Sequence, residues 1–171
     1  MTRIIKNEEI YSAIFEEMVP AVKKYLWIAT ADIKDLHVKR GKRAVPFLDI
    51  LSELINKGIL VRLIHSKEPG EIFRKDFDRN PALIDSLERM LCPRNHMKLV
   101  IIDGKTAICG SANLTGAGMG CKSPNRRNFE MGIVTDEKKM VAEIAEVFDA
   151  LWMGQYCKTC GRKEFCGESL T

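Results

Sequence analysis

His96, Lys98 and Asp103 stand at H-x-K-x4-D spacing, and a little further on the chain reads Gly110-Ser111-Ala112-Asn113. In an extended segment the side chains at i and i+2 leave the same face, so His96 and Lys98 point into one space. An imidazole able to act as nucleophile, acid or base near neutral pH then sits beside a fixed cation. The apolar runs 99–102 and 107–109 flank an Asp103-Gly104 pair, which is the composition of a hairpin with a tight turn. Such a hairpin returns Ser111 and Asn113 to the neighbourhood of His96.

The rest of the chain must position that hairpin. With 171 residues, 46% of them hydrophobic, it suits one domain with a substantial core and is too short for two catalytic domains. Residues 7–24 carry Ile10, Ile14, Phe15 and Met18 at helical spacing, with a disturbance expected at Pro20. Residues 25–31 form an apolar run suited to a strand buried on both faces. A polar segment, 32–43, leads to a helix through Phe47, Ile50, Leu51, Leu54 and Ile55 that stops at Gly58. A second strand occupies 59–65, and strand–helix–strand order implies a parallel pair in a layered α/β domain. Residues 82–91 read as a helix leading into the hairpin, 129–134 as a strand and 138–152 as an amphipathic helix. The run 114–128, rich in Gly, Lys and Arg, reads as a basic loop.

Together, His96, Lys98, Asp103, Gly110, Ser111 and Asn113 resemble the HxKx4D and GSxN signature of the phospholipase D superfamily, and the likeness extends over roughly residues 20 to 152. The resemblance implies a layered α-β-α sandwich with a mixed central sheet, and cleavage or exchange of phosphodiesters. Such chemistry needs a nucleophile, a proton donor for the leaving oxygen and positive charge at the phosphoryl oxygens. His96 fits either of the first two roles and Lys98 the third, with Ser111 and Asn113 able to donate hydrogen bonds. Asp103 fits a structural role in the turn at least as well as a chemical one. Glu130 falls where the family places a further acidic residue, which would orient the imidazole. One motif per chain implies a homodimer that places two His96 side chains in one active site, one as nucleophile and one as general acid. Two Lys98 groups would then take the electrostatic part of a metal, so no catalytic cofactor is expected.

All three histidines precede a Lys by two positions, but only His96 carries the downstream Asp and Gly-Ser-Ala-Asn. His37 and His65 read as polar strand ends, with His37 placed where it can still touch substrate. Arg94, Lys122, Arg126 and Arg127 are the candidate substrate-binding cations, and the formal net charge of +4 favours anionic partners. The leading reading is a nuclease acting on DNA or RNA. A lipid phosphodiesterase or phosphatidyltransferase, and a non-catalytic nucleic-acid-binding module, are the alternatives.

The tail 154–171 differs from the domain, residues 1–153, in holding Cys157, Cys160 and Cys166 at C-x2-C-x5-C spacing. These are candidate metal ligands, with Cys121 as the expected fourth and Cys92 and Cys109 read as core or near-core thiols. Structural zinc is the preferred ion and a 4Fe-4S cluster the alternative. The N-terminal residues lack a signal-peptide core and no apolar run approaches the length of a membrane span, so a cytoplasmic protein without a membrane partner is expected.

Overall fold

The computed structural model describes residues 1–34 and 36–166. Its strands are β1 (Thr2–Lys6), β2 (Tyr25–Thr30), β3 (His37–Arg40), β4 (Arg43–Pro46), β5 (Leu60–His65), β6 (Glu88–Leu91), β7 (Leu99–Ile102), β8 (Thr106–Gly110) and β9 (Met131–Thr135). Seven of them form one sheet in the order β1-β9-β8-β7-β2-β5-β6, while β3 and β4 pair separately. The Phe47–Asn56 helix lies between β2 and β5 in sequence, and such a crossover lets the two run parallel. The short turn after β7 forces β8 back antiparallel, and β7 also runs antiparallel to β2. The sheet is therefore mixed, as expected.

Helices cover both faces. Ile14, Phe15 and Met18, with Phe47 and Leu51, share one core with Leu26, Ile28, Leu63 and Ile102. On the opposite face Val141 and Phe148 of the Lys138–Trp152 helix join Ala29, Ile64, Leu99, Ile101 and Ala107 in a second core. The N-terminal helix widens to π-type turns over Ser12–Met18 just before Pro20. A proline contributes no N–H to the helical ladder, which gives a physical reason for the irregularity there.

Three elements depart from the sequence expectation. β1 is an edge strand with only Ile5 buried, a pattern too weak to read. The polar stretch before the Phe47–Asn56 helix folds into the β3–β4 hairpin, in which Val38 is buried. The helix expected over 82–91 ends at Ser86, and residues 88–91 instead add β6 beside β5, where Glu88 pairs with Arg62 at 2.5 Å.

His65 ends β5, in keeping with its reading as a polar strand end, and is fully buried there. Its Nδ1 lies 2.9 Å from the Lys67 carbonyl oxygen, and Nε2 has no hydrogen-bond partner among the described residues. Burial pulls its pKa below the ordinary histidine value, outweighing the bond to Lys67. The depressed folded-state pKa means that the unfolded chain binds the proton first. Stability is complete above the unfolded value of about 6.5 and falls as the pH drops below it, by up to about 1.4 kcal/mol near pH 5.5. The melting temperature should fall between pH 7.5 and 5.5, and less so in His65→Gln. An equal fall in both proteins would remove His65 as the cause.

Candidate active site at the carboxyl edge of the sheet

β7 pairs Leu99 with Ala29 near the carboxyl end of β2 and with Cys109 near the end of β8, and Gly110 faces Gly132 near the start of β9. The segments flanking these pairs therefore gather at one edge of the sheet, where open α/β sheets present their sites. Lys98 and His96 precede β7 at this edge. The Lys98 ammonium lies 3.0 Å from Nδ1 and 3.1 Å from Nε2 of His96, and donates to the His96 carbonyl oxygen at 2.8 Å. Burial lowers the Lys98 pKa from its usual value while the charge of Glu130 opposes the shift.

Asn95 holds this segment in place, a role the sequence reading did not assign. Its buried amide donates to the Thr30 carbonyl at 3.0 Å and its Oδ1 accepts from the Met97 N–H at 3.1 Å. The loop carrying His96 is thereby fastened to the end of β2. Its only sequence signal is a short amide residue directly before the His.

Gly110 lets β8 and β9 approach closely. A Cβ there would lie 2.6 Å from the Met131 carbonyl oxygen and 2.7 Å from the Gly132 Cα. The next residue, Ser111, donates from Oγ to Glu130 Oε2, and Asn128 donates to Glu130 Oε1 at 3.0 Å. Glu130 is thus engaged by Ser111 and Asn128 beside Lys98. Asn113 turns its carbonyl oxygen inward to accept from the Ala31 and Asp32 N–H groups, both at 3.1 Å. That oxygen fastens the corner after β8 to the end of β2.

Asp103 lies elsewhere. It follows β7, at the opposite end from Lys98 and roughly 17 Å away at about 3.4 Å per residue. Its carboxylate accepts from the N–H groups of Lys23 at 3.0 Å, Lys24 at 2.8 Å and Tyr25 at 3.0 Å. Burial tends to raise its pKa, but those three donors, with Lys105, hold the carboxyl below the usual range. Its place among the catalytic candidates is therefore corrected to a structural one, because the strand between them keeps it from the edge that carries His96 and Lys98.

Among the candidate cations, Arg94 lines a cavity of about 590 Å³ together with His96. Arg127 instead pairs with Glu8 and donates to the Lys122 carbonyl at 2.8 Å, while Lys122 and Arg126 are exposed on the same loop. His37 begins β3, outside the sheet that carries the motif. Cys157, Cys160 and Cys166 line the cavity that His96 lines, but Cys121 does not. Its sulfur lies 3.6 Å from the Met119 carbonyl oxygen and 3.9 Å from that of His37, which corrects its expected place beside the tail. Among the described residues no three His, Cys, Asp or Glu side chains are arranged as a metal-ion site.

Comparison with known proteins sets this site in a family. The family model described as "Cardiolipin synthase, PLD-like domain" matches residues 15–152. The chain is 30% identical over 105 residues to a mitochondrial cardiolipin hydrolase of Chlamydomonas reinhardtii, an overlap of 61% of this chain and 44% of that protein. It is likewise 30% identical over 125 residues to a probable cardiolipin synthase, YwiE, of Bacillus subtilis, covering 66% of this chain and 24% of that one. The chain thus spans less than half the length of these relatives. Its fold is similar to NucT from Helicobacter pylori, with TM-score 0.62 and 14% identity over 90% of this chain and 97% of that one. It is also similar to the phospholipase D family member Nuc from Salmonella typhimurium, with TM-score 0.59 and 15% identity over 90% and 95% of the two chains. The motif at the sheet edge and the match over most of the domain lead to one conclusion: this chain belongs to the phospholipase D superfamily of phosphodiesterases.

Proposed function

We propose that the protein is a metal-independent nuclease whose active site is completed by a second copy of the chain. The observation that carries this reading is the His96–Lys98 pair, present once per chain, at an open sheet edge beside the Ser111–Glu130–Asn128 cluster. In a two-fold dimer one His96 attacks phosphorus, forming a P–N bond as the bond to the leaving oxygen breaks. The other His96 gives that oxygen a proton, then takes one from the water that cleaves the P–N bond. Lys98 from each copy neutralises the phosphoryl oxygens throughout. Phe129, 97% exposed, and Met131, 60% exposed, flank Glu130 and offer the second copy an apolar contact. Arg94, Lys122 and Arg126 would meet backbone phosphates without reading bases.

The same two apolar side chains favour one other reading, a phospholipid substrate entering over an apolar lip, in line with the cardiolipin names of the relatives. Among the described residues no helix is long and apolar enough to cross a membrane. Incubation with labelled single- and double-stranded DNA, RNA and cardiolipin vesicles separates the readings. Nucleic-acid cleavage that persists in EDTA is expected. Cleavage of lipid alone would replace the nuclease reading, and activity lost in EDTA but restored by Mg²⁺ or Mn²⁺ would overturn the metal-independent mechanism.

A further inference from the structure

The cavity beside His96 gathers four cysteines from two distant parts of the chain. Cys157, Cys160 and Cys166 come from the tail, and Cys92 comes from the turn between β6 and the His96 segment. No disulfide joins any of them, although each is partly buried.

The backbone supports these thiols in tight turns. The Cys160 N–H donates to the Cys157 carbonyl at 3.1 Å, Cys157 N–H to Gly154 at 2.9 Å and Cys166 N–H to Lys163 at 3.0 Å. Cys92 is held from the other side, since its N–H donates to the His65 carbonyl at 2.8 Å and its own carbonyl accepts from Asn95 at 2.9 Å. Arg162 of the tail reaches the Pro93 carbonyl at 3.5 Å, so the tail already touches the turn that holds Cys92. Four soft sulfur donors around one space, two of them in a C-x2-C turn, are the ligand set of a tetrathiolate metal centre. A single zinc ion with bonds of about 2.3 Å needs its sulfurs drawn together, and a 4Fe-4S cluster needs them further apart. Among the described residues no three of these thiols are arranged as a metal-ion site, so binding either group would require them to draw together.

We infer that Cys92, Cys157, Cys160 and Cys166 together bind a thiolate-ligated metal centre, zinc or iron–sulfur, that clamps the tail onto the turn leading to His96. Cys92 replaces Cys121 as the fourth ligand. The centre takes no part in the reaction. Its work is to hold residues 92–95, and through them the reach of His96, against the end of β2.

The experiment is metal and sulfide analysis, with visible absorption, of the full chain purified with and without oxygen, alongside Cys92→Ser, Cys166→Ser and Cys121→Ser. The expected result is one centre per chain in the unaltered protein and in Cys121→Ser. It is colourless with zinc, or brown with iron and sulfide in equal amounts. Cys92→Ser and Cys166→Ser should lose at least about tenfold in bound metal, with circular dichroism verifying that each variant is folded. Where a variant does not fold, Co²⁺ titration of the unaltered protein keeps the question open to test, since a sulfur-to-metal charge-transfer band requires thiolate ligands. Metal retained by Cys92→Ser but lost from Cys121→Ser would overturn the assignment. So would an unaltered protein that binds neither zinc nor a reconstituted cluster.

Discussion

Replacing His96 with Ala should lower phosphodiester hydrolysis by roughly 10⁴-fold or more, the scale on which loss of a nucleophile acts. The fold should survive, because the ring lies exposed at the edge of the sheet, where Lys98 is its neighbour. Asn95 and the backbone of β7 retain the loop in its absence. The proposed sharing of one site by two His96 groups allows a sharper version of the test. When equal amounts of active protein and His96→Ala are unfolded and reassembled together, random pairing leaves about a quarter of the dimers with both imidazoles. Activity should drop to about that fraction. A value near one half would mean that each chain works alone and would sink the shared site.

Asp103→Ala should cost about 3 kcal/mol of stability and leave the turnover of the folded protein nearly unchanged. The variant loses three backbone hydrogen bonds to a charged acceptor, each of a kind that contributes about 1.5–3 kcal/mol and that partly overlap here. It also leaves three N–H groups unpaired at the start of β2. The backbone adds to the cost, because Asp103 has φ 53°, a left-handed conformation that Asp tolerates better than Ala. For a chain of this length the melting temperature should fall by roughly 6–12 °C. Because the folded carboxyl is held below its ordinary pKa, this contribution is present above pH ~3.9 and is lost as the pH falls through the lower folded value. Asp103→Asn, which keeps one acceptor oxygen and the same tolerance for positive φ, should lose less. Unchanged melting with a hundredfold fall in turnover would restore Asp103 to the chemistry.

Strong local patterns carried the sequence reading of this site. The His96–Lys98 spacing, the apolar runs of β7 and β8, and the Asp103-Gly104 turn are all local, so their geometry follows from neighbours in the chain. The helices at 47–56 and 138–152 announced themselves by long apolar periodicity. What escaped depends on distant partners. β6 exists because β5 offers a free edge, and no property of residues 88–91 distinguishes them from the helix before. β1 and β3 each bury one side chain within the strand, below any periodic signal. Cys121 is the expected companion of the tail by its place in a basic loop, whereas it is Cys92 that lines one cavity with the tail cysteines, through the sheet order that sets β6 at an edge. Asn95 was invisible for a related reason, since its meaning lies in the carbonyl of a strand sixty-five positions earlier.

The placement of Asp103 changes what its spacing from His96 measures. The interval between the two is a ruler laid along β7: one end rests at the edge that carries His96 and Lys98 and the other on the N–H groups that open β2. Adding or deleting a single residue between them would move one end by about 3.4 Å and turn alternate side chains of β7 to the wrong core. The motif therefore specifies a length of sheet as much as a set of chemical groups.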